Sequence, residues 1–230
     1  MIGIIGAMEE EVATLKAEMQ VEEVKEKVGM TFVKGKLSGK DVVIVRSGIG
    51  KVNMAICAQC LVDEYHVDAL INTGVAGSLD AVIDIGDVVI STDAVQHDMD
   101  ASALGDPVGQ IPRMDIFAFP ADEKLVKAAV AANEEANPDI KTFTGRVLSG
   151  DQFIWDSKKK DWLVSTFNGR CAEMEGAAMA HVAYLNKVPY VVIRMISDKA
   201  DNSAMMDYPV FEKHATEHSI KLMRNLLARL

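Results

Sequence analysis

Residues 1–19, MIGIIGAMEEEVATLKAEM, decide the fold, because they place a strand pattern directly before a helix pattern. The apolar run Ile2 to Ile5 is typical of a buried strand, and Glu9 to Met19 has the spacing and the acidic first turn of a helix. A strand followed at once by a helix is the unit from which α/β sheets are built.

The rest of the chain continues this alternation. Further strands are predicted at Val42 to Val45, Ala69 to Asn72, Val88 to Ser91, Thr142 to Leu148 and Tyr190 to Ile196. Further helices are predicted at Val52 to Tyr65, Ala121 to Asn137, Gly176 to Asn186 and Pro209 to Leu230. Thr31 to Leu37 and Asp41 to Arg46 flank Ser38-Gly39-Lys40 and predict a β-hairpin, which makes the sheet mixed. We therefore predict one α/β domain over residues 1–230, a three-layer sandwich with helices on both faces of a mixed, twisted central sheet.

The composition restricts the partners. A formal net charge of −10 at pH 7 argues against a nucleic-acid or anionic-membrane surface, since both need clustered Lys and Arg. No apolar run approaches the ~18 residues that span a bilayer, and no signal-peptide pattern precedes the first strand. Three cysteines are too few for a disulfide framework. We therefore expect a cytoplasmic protein whose partner is a small molecule.

Three local motifs could bind a metal or a phosphate, and each is weak. Cys57 and Cys60 lie in an apolar helix pattern without a second cysteine pair, so core packing is expected. Residues 97–100, HDMD, have no second ligand cluster at a suitable spacing. Residues 48–51, GIGK, resemble the end of a P-loop, but Val52 stands where Ser or Thr should hold magnesium. We predict neither a metal nor a cofactor.

Carboxylates follow several predicted strands, at the positions where ligands bind in α/β sheets. Glu9 to Glu11 follow the first strand, Glu173 and Glu175 follow a later strand-like piece, and Asp198 follows the last strand. Each has a structural alternative, because acids stabilise the first turn of a helix and Asp is a common N-cap. Acids gathered at one edge of one sheet instead suggest general acid/base chemistry.

These segments resemble the bacterial 5′-methylthioadenosine/S-adenosylhomocysteine nucleosidases, within the nucleoside phosphorylase superfamily. The resemblance covers nearly the whole chain and is carried, in family order, by residues 2–11 (IGIIGAMEEE), 47–52 (SGIGKV), 72–74 (NTG), 149–151 (SGD), 173–175 (EME) and 194–198 (RMISD). It implies a nucleoside phosphorylase/hydrolase-like fold and hydrolysis of the N-glycosidic bond of methylthioadenosine, adenosylhomocysteine and 5′-deoxyadenosine. The products would be adenine and the 5′-substituted ribose, in methionine salvage and in removal of methyl-cycle by-products.

The resemblance also implies catalytic roles for individual side chains. Glu11 would bind and activate the attacking water, with Arg194 close by. Asp198 would protonate purine N7 with support from Ser197, and Glu175 would hold the ribose 2′ and 3′ hydroxyls.

The same resemblance implies the substrate contacts. Adenine would stack on Phe153, and the backbone of Ile154 would read its Watson–Crick edge. Val75 stands where a serine often contacts the ribose ring oxygen, which puts that hydrogen bond in doubt. Ala101 and Leu104 stand where the 5′ pocket often has larger residues, so a roomier pocket is expected. The remaining contacts would come from Met8, Ile49, Ala76, Gly77, Glu173, Met174 and Tyr208.

The reaction gives the two acids opposite tasks. Cleavage of the ribosyl bond builds positive charge on the sugar and negative charge on the purine. Asp198 must therefore be protonated at neutral pH, most simply through desolvation, whereas Glu11 must stay ionised, which Arg194 would favour. Inverting glycosidases use two carboxyls in this way, ~6.5–9.5 Å apart, so we expect inversion at C1′. Acids at 9–11 also repel phosphate, which favours water as the nucleophile.

Several alternatives remain open from the sequence. The chain could be an aminofutalosine-type nucleosidase, a phosphorylase, or a catalytically silent nucleoside-binding protein, because a fold alone does not fix function. A homodimer is implied by the resemblance. Ile49 to Leu61 and the irregular stretch His97 to Pro120, which we interpret as a lid or a dimer contact, could supply its contacts.

Overall fold

The structure is a computed structural model that describes residues 1–230, except for the side chains of residues 205–216. Its strands are β1 (Ile2–Gly6), β2 (Gln20–Lys27), β3 (Met30–Leu37), β4 (Lys40–Arg46), β5 (Ala69–Ser78), β6 (Val88–Gln96), β7 (Phe119–Pro120), β8 (Thr142–Ser149), β9 (Cys171–Glu173) and β10 (Tyr190–Asp198). Its helices are α1 (Glu9–Glu18), α2 (Lys51–Tyr65), α3 (Glu123–Ala136), α4 (Ser157–Phe167), α5 (Gly176–Asn186) and α6 (Ala204–Arg229).

The central sheet is mixed, as predicted. β1 pairs in parallel with β4 and β5, and β5 pairs in parallel with β10. β3 pairs antiparallel with β4, which confirms the predicted hairpin. The sequence therefore predicted the pairing type correctly at the open end of the sheet.

At its other end the sheet closes on itself. From β5 the pairing runs through β10, β6, β8 and β9, and β9 pairs again with β5. Five strands thus form a ring, which the sequence did not predict. Within the ring β9 runs antiparallel to β5, with Gly77 opposite Ala172. The residues that follow β9 are thereby brought to the end of β5 where the candidate site lies.

Helices cover both faces of the sheet, which confirms the three-layer prediction. Successive side chains of a strand point to opposite faces, and the buried neighbours Ile4 and Ile5 lie in two separate hydrophobic clusters. The cluster of Ile5 includes α2 and α5, whereas the cluster of Ile4 includes α1, α3 and α6. Cys57 is buried in the first cluster and Cys60 packs against it, as expected for core residues.

Three strands or helices were missed by the sequence analysis, namely β2, α4 and the two-residue strand β7. β2 is an edge strand whose residues are mostly exposed, so it lacks the apolar alternation that predicts a strand. α4 begins with a lysine run that hides its apolar stripe, but Leu163 and Phe167 are buried four residues apart on one face. α6 begins at Ala204, ahead of the predicted start at Pro209. Among the described residues, no helix is both long and apolar enough to cross a membrane.

Candidate active site

A cavity of about 500 Å³ lies where β1, β5, β9 and β10 end or meet. It is lined by Ala7, Met8, Glu11, Ile49, Val75, Ala76, Gly77, Phe153, Ala172, Glu173, Met174, Glu175, Ser197 and Asp198. All of the predicted catalytic and binding residues are in this set except Arg194, Ile154 and Tyr208. Ala101 and Leu104, which were expected at the 5′ pocket, do not line the cavity in the single chain, and Leu104 is exposed. Ala7 and Ala172 were missed because a small apolar side chain carries no chemical signal in the sequence.

The three predicted catalytic and binding residues outside the lining differ in their placement. Arg194 is buried beneath the cavity, where its guanidinium contacts other polar groups. Ile154 is also buried and lines a separate hollow of about 350 Å³ formed by residues 152–156 and Lys159. Tyr208 lies outside the described residues.

Glu11 is the one acid of α1 that lines the cavity. Its carboxylate turns back over the start of the helix and accepts the N–H groups of Ala7 at 2.7 Å and Met8 at 3.0 Å. The N–H of Val75, on β5, donates to the other oxygen at 3.2 Å. Glu9 and Glu10 are exposed, so of the acids at 9–11 only Glu11, the one assigned to the site, can act on a ligand in the cavity. Side chains in one helical turn point in different directions, and only one of the three reaches the cavity.

The pKa of Glu11 is subject to opposing effects. Burial raises the pKa of Glu11, and the positive charge of Arg194 with the three backbone N–H groups lowers it, so that the net shift is upward. The expectation that Arg194 favours ionisation is therefore met in sign, but burial outweighs it. A buried carboxylate with a raised pKa is a better proton acceptor than an exposed one.

Gly74 makes room for Glu11 and Arg194 to approach each other. A Cβ atom at this position would lie 2.6 Å from Glu11 Oε1 and 3.3 Å from Arg194 Nη1. Gly74→Ala should therefore displace the carboxylate and lower kcat at least tenfold, while overpacking costs about 1–3 kcal/mol of unfolding free energy. The matched control is Gly169→Ala, which lies outside the cavity lining. Its Cβ atom would lie 2.6 Å from the side chain of Leu148. It should lose stability but keep kcat, and equal kcat losses in both variants would contradict the prediction.

A buried polar network lies beneath the cavity. Arg194 donates to the side chain of Asn72 and to Glu173, and its Nη1 donates to the carbonyl of residue 193 at 3.1 Å. Glu173 also accepts the N–H of Glu175 at 3.0 Å and the N–H of Gly176 at 2.7 Å. Glu173 therefore caps the start of α5 and neutralises Arg194, and its carboxylate is largely occupied by the protein itself.

Glu175 reaches the cavity from the turn between β9 and α5. Its Oε1 accepts the N–H of Gly50 at 2.7 Å. Burial, together with the negative charge of Glu173, raises the pKa of Glu175 to about 7, although Arg194 and the Gly50 N–H act in the opposite direction. Near neutral pH this carboxyl is thus poised between its protonated and ionised forms.

Asp198 lies at the end of β10 and is almost fully buried. Ser197 Oγ donates to Oδ2 at 3.0 Å, and the N–H of Ala200 donates to Oδ1 at 2.8 Å. A Cβ atom at Gly77 would lie 2.7 Å from Oδ1, so this glycine admits the carboxyl at the cavity wall. The surroundings of Asp198 therefore differ from those of Glu11, which accepts backbone N–H groups alone.

The lining has an acidic character. Among the residues the structure describes, four carboxylates line the cavity and no Lys or Arg does. Two amides at the start of α2, where an anion could bind, already have partners, since Gly50 donates to Glu175 and Lys51 donates to Asp151 at 2.8 Å. This arrangement can hold a neutral, polar ligand and disfavours a phosphate dianion.

Comparison with known proteins places the whole chain in one group. The phosphorylase superfamily matches residues 1–228. A 5′-methylthioadenosine/S-adenosylhomocysteine nucleosidase from Shewanella loihica is 41% identical over 230 residues, which cover 100% of this chain and 99% of that protein.

Solved structures give the same result. The nucleosidase of the same kind from Colwellia psychrerythraea, in complex with adenine, has a TM-score of 0.95 and 40% identity, covering 100% of this chain and 95% of that one. The futalosine hydrolase of Helicobacter pylori has a TM-score of 0.93 and 34% identity, with 100% and 97% covered. The fold is therefore shared with these structures along the full length of the chain.

Proposed function

The chain belongs to the phosphorylase superfamily and, within it, to the 5′-methylthioadenosine/S-adenosylhomocysteine nucleosidases, and from this premise we propose how it acts. It hydrolyses the N-glycosidic bond of 5′-methylthioadenosine and S-adenosylhomocysteine, and also of 5′-deoxyadenosine. Adenine and the 5′-substituted ribose are released. The setting we propose is methionine salvage and removal of methyl-cycle by-products in the cytoplasm.

The observation that carries this proposal is a pair of buried carboxyls with different surroundings in one cavity. Glu11 accepts three backbone N–H groups and acts as the base that takes a proton from water. Asp198, supported by the Ser197 hydroxyl, acts as the acid that protonates N7 of the leaving adenine. Proton transfer at both ends of the breaking bond matches the charges that develop there. Arg194, which is buried behind Glu173 and does not line the cavity, acts on Glu11 through its positive charge, which favours the ionised carboxylate.

The rest of the lining binds the nucleoside. Glu175 accepts the ribose 2′ and 3′ hydroxyls, with Met174 beneath the sugar, and Phe153 stacks on adenine. Met8 and Ile49 line the 5′ region. Because the described lining has no cationic side chain, water and not phosphate is the nucleophile.

The test measures adenine release from methylthioadenosine, adenosylhomocysteine, 5′-deoxyadenosine and adenosine, with and without added phosphate. We expect adenine from the first three substrates at rates that phosphate does not change. A requirement for phosphate would identify a phosphorylase instead. Binding of the nucleosides without adenine release would identify a silent nucleoside-binding protein.

A futalosine-type nucleosidase is the second candidate, because the futalosine hydrolase of Helicobacter pylori shares the fold along its length. Its substrate differs at the 5′ substituent, the end of the site to which the resemblance assigns Ala101 and Leu104 in place of larger residues. Aminofutalosine is therefore assayed beside methylthioadenosine. A higher kcat/KM for aminofutalosine would reverse the order of the two candidates.

The pH dependence of binding should report on Glu175. Its pKa of about 7 is raised, so this carboxyl is mostly protonated at pH 6, and only the ionised form accepts two hydroxyl donors. We expect Kd for an uncleavable C-nucleoside analogue of adenosine to fall about tenfold from pH 6 to pH 8. Free adenine, which lacks the ribose hydroxyls, is the control and should show no such trend. A flat profile for the C-nucleoside would contradict the role of Glu175.

The stereochemistry at C1′ remains a prediction. Direct attack by the water held at Glu11, opposite the adenine, inverts the configuration. Proton NMR of the sugar immediately after cleavage, before mutarotation, should show the inverted anomer. Retention of configuration, or a trapped ribosyl-enzyme, would exclude direct attack by water.

We also propose that the chain forms a homodimer. Ile49, just before α2, and Val52 and Ile56, on α2, are exposed apolar residues, and Leu104 is exposed in the stretch 97–120. Contiguous apolar surface marks protein interfaces. Light scattering should give twice the 25.0 kDa mass of one chain, and Val52→Glu should reduce it to a single chain. A monomeric wild-type protein would contradict the proposal.

A further inference from the structure

The segment that precedes α2, residues 47–50 and here called the α2 loop, joins the cavity to a polar cluster outside it. At its start, the N–H groups of Ser47 and Gly48 donate to the carbonyls of residues 6 and 7 at 2.9 and 3.1 Å. At its end, the N–H of Gly50 donates to Glu175 Oε1 at 2.7 Å. The backbone of the loop therefore helps to orient a carboxylate of the site.

Outside the cavity, three residues form a closed set of hydrogen bonds, here called the Asp98–Lys51–Asp151 ring. Asp151 Oδ1 accepts the backbone N–H of Lys51 at 2.8 Å. Asp98 accepts the N–H of Asp151 at 2.9 Å and the ammonium of Lys51 at 2.6 Å. The ring joins the start of α2 to the segments that follow β6 and β8.

The ring and the cavity meet at two consecutive amides. One amide, Gly50, faces Glu175, and the next, Lys51, faces Asp151. The two peptide units are planar and share the Cα of Gly50, so the relative orientation of their amides depends only on φ and ψ of Gly50, and holding the Lys51 amide restricts the orientation of the Gly50 amide. Gly50 has a φ of +98°, and a Cβ atom there would lie 3.1 Å from Asp151 Oδ1. The carboxylate of Asp151 thus lies against the backbone unit that holds Glu175.

We propose that Asp151 is a positioning residue for ribose binding, which holds the Lys51 amide and thereby fixes the Gly50 amide that orients Glu175. Asp98 secures Asp151 from the other side. The proposal rests on the role proposed above for Glu175 and extends it to a residue that does not line the cavity. It also gives a purpose to the segment 149–151, SGD, that the reaction itself does not use.

Loss of the Gly50 N–H would have a second effect, because Glu175 is surrounded by charge. Burial, Glu173 and Glu11 raise its pKa, whereas Arg194 and the Gly50 N–H lower it. Without the N–H, more of the carboxyl is protonated at neutral pH. The pH below which ribose binding weakens should therefore move upward, which a merely structural role for Asp151 would not cause.

The experiment compares three variants by kcat and KM for methylthioadenosine over a range of pH. Asp151→Ala should raise KM about tenfold with little change in kcat, and should shift the acidic limb of the binding profile upward. Asp151→Asn keeps an oxygen that can accept the Lys51 N–H and should restore KM. Asp122→Ala is the matched control, because Asp122 accepts N–H groups at the start of α3, on the other side of the sheet.

A double-mutant cycle with Glu175→Gln completes the test. If Asp151 acts through Glu175, Asp151→Ala should add little to the KM of the Glu175→Gln variant. Additive effects, an unchanged KM in Asp151→Ala, or failure of Asp151→Asn to restore KM would overturn the proposal. If Asp151→Ala does not fold, Asp98→Ala tests the ring from its other side and should raise KM likewise.

The two proposals fail in different ways. If wild-type protein releases no adenine, the proposed function fails. If wild-type protein is active and Glu175→Gln raises KM while Asp151→Ala does not, only the positioning role fails.

Discussion

Replacement of Asp198 by Asn is expected to lower kcat for methylthioadenosine by about 10²–10⁴-fold while leaving substrate binding nearly unchanged. The amide matches the carboxyl in size, and its oxygen can still accept the Ala200 N–H seen at 2.8 Å. It has no acidic proton to give to N7, however, so adenine must leave as an anion. Single-turnover adenine release gives the rate, and equilibrium titration gives the affinity.

The control for this variant is Asp201→Asn. Asp201 accepts the N–H of Ser203 at 3.0 Å and does not line the cavity. Its loss should leave kcat unchanged. Undiminished turnover in the Asp198→Asn variant would refute the assignment of Asp198 as the general acid.

Replacement of Glu11 by Gln should have an effect of the same size, about 10²–10⁴-fold on kcat, because an amide cannot accept a proton from water. It should also lower stability. The two oxygens of Glu11 accept N–H groups of Ala7, Met8 and Val75, and Gln offers one oxygen, so at least one buried donor loses its partner at about 1–3 kcal/mol. Glu10→Gln, on the exposed side of the same turn, is the control.

A substrate with a better leaving group separates the two roles. A riboside that releases 4-nitrophenolate needs no proton on its leaving group. Asp198→Asn should therefore recover most of its activity on this substrate, whereas Glu11→Gln should stay slow because water is still not activated. Equal recovery of the two variants would contradict the division into acid and base.

The fold could be predicted where the sequence pattern reflects burial on one or both sides. The stretch that opens the chain gave β1 and α1 with nearly correct ends, and the hairpin of β3 and β4 followed from its turn residues. β2 escaped prediction because an edge strand that pairs on one side keeps polar side chains. The strand ring escaped because closure depends on which strands meet in space, and hydrophobic periodicity carries no information about that.

The site illustrates the same limit. Glu11 and Asp198 follow parallel strands, so the rule on strand ends predicted their position for the right reason. Glu175 follows β9, which runs antiparallel to β5. It reaches the cavity because the ring of five strands brings β9 across the end of β5. Glu175 was thus predicted at the cavity, as found, but the reason differs: it does not follow a strand whose carboxyl end lies beside the carboxyl end of β5.

The burial of charge was harder to predict. Arg194 lies near Glu11, as expected, and lowers its pKa, but its hydrogen bonds to side chains are with Asn72 and Glu173 beneath the cavity. Glu9 looked equivalent to Glu11, but it forms an exposed ion pair with Lys16 at 3.1 Å. A sequence gives the types of charged groups near a site, whereas their directions depend on the packed backbone.

The start of α2 restricts how the chemistry of this chain can change during evolution. A helix start preceded by glycines can bind phosphate, but here the amides of Gly50 and Lys51 donate to the carboxylates of Glu175 and Asp151. Freeing the Gly50 amide would loosen the carboxylate that holds the sugar, and removing Glu11 would remove the group that activates water. Each first step toward phosphorolysis therefore weakens the existing reaction before phosphate can bind.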